Sequence, residues 1–135
     1  MTTPFTPILS GQRPELIVAQ TTAFCAFLDP SPRAMGHTLV VPWQEISYIY
    51  DLDDTTLAQM HLFAKQVART LQAVVPCKRI GMAVIGLEVS HAHIHLIPLQ
   101  SIQDMNFQAP KPILDAAVQA ELAATLRAHY LTRTP

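Results

Sequence analysis

Cysteines and charged residues are scarce in this chain, and long apolar runs are absent. Only Cys25 and Cys77 occur among 135 residues, without a Cys-x-x-Cys pair, which excludes a disulfide scaffold and suits a reduced compartment. Charged residues make up 14% and the net charge is −1, so no strong field attracts nucleic acid or a membrane surface. No apolar run has the length of a membrane span, and the first residues lack the pattern of a signal peptide. We expect a cytoplasmic protein that binds neither nucleic acid nor membrane.

The rest of the sequence predicts one domain, residues 1–135, of the α+β class. Half of the residues are apolar, which is enough for a single core. Apolar steps of three and four residues predict a long helix that begins at Asp53 or Asp54 and is ended by Pro76. A last helix is expected from about Asp115 to Tyr130; its inward residues would be Val118, Leu122 and Leu126.

Five segments have the character of strands: 15–20, 23–28, 37–42, 78–85 and 90–98. Short connections in the order β-β-β-α-β-β-α favour antiparallel pairing over parallel βαβ winding. We therefore predict an antiparallel five-stranded sheet with one long central helix and a C-terminal helix.

Three of the six histidines fall at alternate positions in residues 91–95. On a strand, His91, His93 and His95 would share one face at steps of about 6.5 Å. Isolated histidines on helices, such as His61 and His129, are more simply explained as ordinary surface or core residues. The alternating row instead indicates a chemical role.

Two such roles stay open from the residues alone. Imidazole is a good zinc ligand, but the outer members of the row would be about 13 Å apart, so they cannot all reach one ion. In the other role, one neutral imidazole attacks an electrophile such as phosphorus while its neighbours bind the nonbridging oxygens.

The chain resembles the histidine triad (HIT) superfamily of nucleotidyl hydrolases and transferases. Residues 91–97 match its His-φ-His-φ-His-φ-φ signature, and Gly36 to Pro42 is similar to its "GHxLVxP" strand. Residues 26–29 (Ala-Phe-Leu-Asp) resemble its "AF.D" strand end, and residues 5–14 resemble its opening segment. The resemblance covers residues 3–99 in order.

The resemblance implies roles for the matching positions. His93 would be the nucleophile that forms a covalent nucleotidyl-histidine; His95 would bind phosphate oxygens, His91 would orient His93 through its carbonyl, and His37 would support the triad. Asp29 would bind the ribose hydroxyls. The resemblance also implies an apolar slot for the base, formed by Phe5, Ile8 and Phe27.

The sequence departs from the family pattern in two places. Many bacterial members bind structural zinc through Cys-x-x-Cys, a later histidine and a triad histidine; here the first three positions are Thr3, Thr6 and Glu45, so we expect no metal. The segment before the triad is short, and Gly86 and Glu88 lie where the substrate's leaving group is expected. A carboxylic acid at residue 88 could protonate that group, although an exposed loop carboxylate is an equal reading.

These features together predict an enzyme that cleaves at the α-phosphorus of nucleoside phosphoramidates, acyl nucleotides or dinucleoside polyphosphates without a cofactor. By resemblance the substrate is expected to be a purine nucleotide and the protein a homodimer. The alternatives are a metal-dependent hydrolase that uses the same histidines and a nucleotide-binding regulatory protein with weak turnover.

Overall fold

The computed structural model describes residues 2–133, so the ends of the expected 1–135 domain (residues 1, 134 and 135) lie outside it. Along the chain, a short helix is followed by three strands, a long helix, two further strands and a last helix. They are α1 (Thr6–Leu9), β1 (Ile17–Gln20), β2 (Phe24–Leu28), β3 (Thr38–Pro42), α2 (Asp54–Val74), β4 (Arg79–Ala83), β5 (Ile94–Leu99) and α3 (Ala116–Arg133). None of these helices is long and apolar enough to cross a membrane.

The predicted α+β architecture is confirmed. The five strands form one sheet in the order β1-β2-β3-β5-β4, and every neighbouring pair is antiparallel. The β3–β5 register places Leu39 opposite His95, which brings the strand after Gly36 next to the histidine row. Strands β2, β3 and most of β5 are buried, so the core lies along the middle of the sheet.

The fifth strand begins later than residues 90–98 would suggest. Pairing with β3 starts at Ile94, whereas Ala92 N–H donates at 2.7 Å to the carbonyl of Ile46, which lies beyond the end of β3. Only His95 of the three histidines therefore lies within the regular strand. The expectation that His91, His93 and His95 share one strand face is wrong for this reason.

Helix α2 agrees closely with the sequence prediction. The Asp53 carboxylate caps it by accepting from Thr56 N–H at 2.7 Å, and the C-cap is Val75, directly before Pro76. Its apolar stripe packs on the sheet; the buried members are Met60, Phe63, Ala64, Val67 and Leu71.

Helix α3 buries a face that only partly matches the expected one, in which Leu122 is half-buried against the core. Val118 is 43% exposed, whereas Gln119, Ala123, Leu126 and Tyr130 are buried at steps of four, three and four residues. A single residue turns a helix by about 100°, so the neighbour of a buried position can face solvent. Val118 is therefore corrected to a surface residue, and Leu126 is confirmed as core.

Gly36 has a positive φ of 90° and closes the turn before β3. A Cβ atom there would lie 3.0 Å from Pro98 Cγ and 3.1 Å from a methyl group of Val75. Glycine thus allows both the left-handed backbone and the close approach to β5. The following residue, His37, is thereby placed beside His95.

Candidate active site

A cleft of about 530 Å³ opens at the ends of β2, β3 and β5. The sequence-predicted residues that line it are Phe5, Asp29, His37, Gly86, Glu88, His93 and His95. The remaining predicted residues, His91, Ile8 and Phe27, lie behind its surface. The structure therefore gathers residues from four separate parts of the chain into one concave site.

The ring of His93 is held in a single tautomer by the backbone. Its Nδ1 lies 2.6 Å from the carbonyl oxygen of His91, and a carbonyl can only accept, so Nδ1 carries the proton. The lone pair then lies on Nε2, which is the ring nitrogen available to a ligand. Burial lowers the pKa of His93 and keeps the ring neutral near pH 7.

A second chain of hydrogen bonds sets the tautomers of His37 and His95. Arg33 N–H donates to Nδ1 of His37 at 3.0 Å, so the proton of His37 is on Nε2. That nitrogen lies 3.0 Å from Nδ1 of His95 and donates to it. His95 must then carry its own proton on Nε2, which makes it a hydrogen-bond donor toward the cleft.

Both histidines of this chain are held neutral. Burial, followed by the neighbouring charge of His95, lowers the pKa of His37 to about 3. Burial, followed by the charge of His93, lowers the pKa of His95 to about 4. The site therefore presents a neutral base on His93 beside a neutral N–H donor on His95, with ring centroids 4.8 Å apart.

His91 contacts His93 through its backbone carbonyl. Its ring points to the opposite side, where Nε2 donates to the carbonyl of Pro42 at 2.8 Å. The carbonyl of His91 accepts the hydrogen bond from Nδ1–H of His93, the contact through which the resemblance implied that His91 orients His93. The side chain and the main chain of His91 thus face two different pockets.

Asp29 lies at the end of β2, on the wall of the cleft. Its Oδ1 accepts from Ser31 N–H at 2.8 Å, and its Oδ2 is 3.7 Å from Nε2 of His37. Burial raises the pKa of Asp29 above its usual value, although the backbone hydrogen bond opposes this. The carboxyl group is thus fixed in place with Oδ2 near the histidines.

The apolar slot predicted from the resemblance is only partly formed. Phe5 lines the cleft, with its ring 5.1 Å from that of His93. Phe27 and Ile8 are 0% and 1% exposed and are corrected to core residues. The reason is that β2 is buried along its whole length, so that Phe27 lies beneath Phe5, with ring centroids 5.3 Å apart.

The turn between β4 and β5 forms the outer wall. Gly86 has a φ of 76°, which requires a residue without a Cβ, and Glu88 is an exposed lining residue. The charge of Glu88 is close enough to His93 to act on the pKa of that ring, raising it slightly. Glu88 is therefore placed at the open side of the cleft, within electrostatic reach of His93.

Sequence reasoning missed the other lining residues, among them two arginines, a lysine and an aromatic ring: Arg13, Arg33, Lys111 and Phe107. Arg13 is paired with Glu15 at 3.3 Å, and Lys111 donates to Ser31 at 3.3 Å. Phe107 packs on His95 with ring centroids 4.8 Å apart. Phe107 and Lys111 lie beyond the part of the chain that the family motifs cover, so no motif pointed to them.

Asp29, His37 and His95 are also a geometric candidate for a metal, because one ligand atom from each lies within 4.8 Å of the others. The tautomers oppose this use. Nδ1 of His37 already accepts from Arg33, so the Nε2 that would have to bind an ion carries the proton. Asp29, His37 and His95 could therefore bind a metal together only if the hydrogen bond from Arg33 N–H to His37 is lost.

A smaller pocket of about 210 Å³ lies on the other side of His91 and is called here the N-terminal pocket. Its polar lining residues are Thr3, Thr6, Ser10, Glu45, Ser90 and His91. Thr6 Oγ1 accepts from Thr3 N–H at 2.8 Å, and Thr3 Oγ1 accepts from Phe5 N–H at 3.1 Å. Neutral hydroxyls engaged with backbone are poor zinc ligands, so these residues do not fit the family's structural zinc.

A family model and the similar proteins all indicate the same family. A HIT domain model matches residues 10–102. The chain is 34% identical over 104 residues to an uncharacterised HIT-like protein of Methanocaldococcus jannaschii, covering 70% of this chain and 76% of that protein. It is 30% identical over 95 residues to adenosine 5′-monophosphoramidase HNT1 of Saccharomyces cerevisiae, covering 70% of this chain and 60% of that one.

Solved structures of histidine triad proteins have the same fold. A zinc-bound histidine triad family protein from Mycobacterium smegmatis superposes with a TM-score of 0.76 at 24% identity, covering 95% of this chain and 92% of that one. At this level of identity the likeness concerns the fold, which includes the antiparallel sheet that carries the cleft.

Proposed function

Since the chain belongs to the HIT domain family, we propose that it is a nucleotide hydrolase that uses His93 as a covalent nucleophile. The observation that carries the proposal is the 2.6 Å hydrogen bond from His93 Nδ1 to the carbonyl of His91, which leaves the Nε2 lone pair for attack. The relative in Saccharomyces cerevisiae that is named an adenosine 5′-monophosphoramidase supports the substrate class.

The proposed reaction cleaves at the α-phosphorus in two steps. First, Nε2 of His93 forms a bond to phosphorus, and the leaving group departs with its bonding electrons and takes up a proton. The new imidazolium keeps its Nδ1–H on the His91 carbonyl, which stabilises the positive charge. Second, a water oxygen attacks phosphorus, the N–P bond breaks, and the nucleoside monophosphate is released with a proton.

The other cleft residues have matching roles in this proposal. The N–H of His95 donates to a nonbridging oxygen whose negative charge grows in the transition state. His37 keeps that N–H in place through the 3.0 Å bond to Nδ1. Asp29 accepts from ribose hydroxyls through Oδ2, and the ring of Phe5 packs against the nucleoside. The proposed substrates are phosphoramidates, acyl nucleotides and dinucleoside polyphosphates.

A metal-dependent hydrolase is a second candidate, because Asp29, His37 and His95 could each offer a ligand atom to one ion. Hydrolysis in the presence of a chelator separates the two. If His93 is the nucleophile, activity persists in chelator. If an ion activates the water, activity is lost and returns with added zinc or manganese.

The direct test is a substrate panel with purified protein. Adenosine and guanosine phosphoramidates, an acyl adenylate and diadenosine polyphosphates would be followed by ³¹P NMR, with cytidine analogues to test the proposed purine preference. The expected product is the nucleoside monophosphate. Binding without product in a single-turnover experiment would contradict the proposal and favour the regulatory alternative.

We also propose that the protein is a homodimer. Strand β4 lies at one edge of the sheet, and Met82 on it is 47% exposed. An open strand edge with an exposed apolar side chain is a common site of pairing between chains. Light scattering after gel filtration should give about twice the mass of 14.9 kDa, and a monomer would overturn this point.

A further inference from the structure

The chain between β5 and α3 returns to the cleft at residues 106–109 and is held there by one side chain. The guanidinium of Arg33 donates to the carbonyls of Asn106 and Ala109, each at 3.0 Å, and to that of Phe107. It also lies 4.8 Å from the centroid of the Phe107 ring. A single residue more than 70 positions away thus fixes this turn, called here the 106–109 turn.

Arg33 reaches His95 by two routes. Its backbone N–H donates to His37, whose other nitrogen donates to His95. Its side chain places Phe107 edge-on against the His95 ring, with centroids 4.8 Å apart and planes at 68°. Both routes act on the ring whose N–H is directed into the cleft.

We propose that the side chain of Arg33 is a positioning residue for His95, acting through the Phe107 ring; the backbone N–H of residue 33, which sets the tautomer of His37, stays in place in every variant tested. This inference rests on the proposed function for its kinetic consequences, but its structural part concerns the His95 ring alone. The guanidinium is not assigned to the substrate, because three of its five N–H groups donate to backbone carbonyls and its Nε, which has no hydrogen-bond partner, is buried away from the surface.

Removal of the 106–109 turn should change both the orientation and the surroundings of His95. The charged or titratable groups that act on this ring are His93, Arg33 and Lys111, together with its partner His37, and the Asp29 carboxyl group also lies within 4.8 Å of it. Burial is the main cause of the low pKa of His95. Exposing one face of the ring to water should therefore move its titration upward, toward the ordinary histidine value.

The test compares Arg33→Ala, Phe107→Ala and the double variant. Two controls alter similar side chains elsewhere: Arg69→Ala on the exposed side of α2, and Ile113→Ala, which is fully exposed in the same connecting segment. For each protein, kcat and KM are measured separately on an adenosine phosphoramidate. The His95 ring is followed by ¹⁵N NMR during a pH titration.

We expect each single variant to lower kcat about 10- to 100-fold, a range typical of misplaced catalytic groups, with KM changed less than about 3-fold. The double variant should be hardly worse than either single one, because both act on the same ring. Phe107→Tyr keeps the ring and should restore kcat. Arg33→Lys should not, since the three N–H groups of an ammonium share one nitrogen and cannot reproduce the planar guanidinium, whose two terminal nitrogens reach carbonyls spaced along the turn.

Three results would overturn the proposal. A rise in KM with unchanged kcat, reversed by Arg33→Lys, would make Arg33 a direct contact for a substrate anion. Full additivity in the double variant would show two unrelated effects. Unchanged His95 ring signals in both single variants would remove the structural basis. The NMR result does not depend on turnover, so it tests the positioning of His95 separately from the hydrolase proposal. If Arg33→Ala does not fold, Phe107→Ala provides the same NMR test.

Discussion

The active-site cleft and the N-terminal pocket lie on opposite sides of His91 and differ in what their polar atoms are free to do. In the cleft, the backbone binds the inner nitrogen of His93 and leaves the outer one available. In the N-terminal pocket, the hydroxyls of Thr3 and Thr6 are used by neighbouring backbone N–H groups. Polar residues converge in both pockets. In the cleft, hydrogen bonds to the inner nitrogens leave the lone pair of His93 Nε2 and the N–H of His95 Nε2 directed at the open space.

The largest expected effect concerns the nucleophile. His93→Ala should reduce kcat by at least about a thousandfold, because without the ring no covalent path exists. His61→Ala, which removes an exposed histidine from α2, is the matched control and should keep full activity. Comparable turnover in the His93 variant and the parent protein would contradict the nucleophile assignment.

His95→Ala should have the next largest effect. Loss of one donor to a developing negative charge typically costs about 10²–10³ in kcat. Because the nucleophile is still present, the covalent intermediate should form slowly rather than not at all. Rapid-quench measurements of the two steps would check this, and an unchanged rate of the first step would remove His95 from the phosphoryl site.

The N-terminal pocket gives a prediction about ligand type. The purified protein should contain no stoichiometric zinc by elemental analysis. The triple variant Thr3→Cys, Thr6→Cys, Glu45→His supplies thiolates and an imidazole beside His91 and should bind one zinc. At 100 times the dissociation constant, binding would add about 2.7 kcal/mol to the free energy of unfolding, seen as a higher Tm with zinc than with chelator. One zinc in the parent protein would show that hydroxyls suffice here.

The cleft should also make the protein sensitive to acid. His37 and His95 have pKa values of about 3 and 4 in the folded protein, against 6.5 when unfolded. Between those values the unfolded state binds more protons, so the free energy of unfolding falls as the pH drops from about 6.5 toward 4. Each histidine contributes a slope of up to about 1.4 kcal/mol per pH unit.

Urea unfolding at several pH values, compared between the parent protein and His37→Gln, isolates one of these contributions. Glutamine can accept from Arg33 and donate to His95 without titrating, so its stability should fall less steeply with acid. The raised pKa of Asp29 has the opposite sign and is common to both proteins, so it cancels in the comparison. Parallel curves would show that His37 does not titrate on unfolding in this range.

The smallest expected effect is at Glu88. Its carboxyl group could protonate an amine leaving group and would repel an anionic phosphate. Glu88→Gln should therefore change by a few-fold the ratio of kcat/KM for a phosphoramidate to that for a dinucleoside polyphosphate, lowering the first and sparing the second. An unchanged ratio would make Glu88 an ordinary loop residue.

Much of the cleft could be predicted because its motifs are local. The spacing of residues 91–97 and the Gly36-His37 pair identified the histidines, and the predicted antiparallel five-stranded sheet was correct. The burial of Phe27 and the start of β5 at Ile94 depend on pairing across the sheet, which short motifs do not encode. The Arg33 and Phe107 contact joins segments more than 70 residues apart, so it became visible only in the fold.

The most direct test of the account is to trap the covalent intermediate. The enzyme would be mixed with excess adenosine phosphoramidate, quenched at alkaline pH, where phosphoryl-histidine bonds persist, and analysed by intact and peptide mass spectrometry. The account predicts one added adenylyl group per chain, located on His93 and absent from His93→Ala. Efficient turnover with no adduct at any time during a single turnover, or an adduct on another residue, would contradict it.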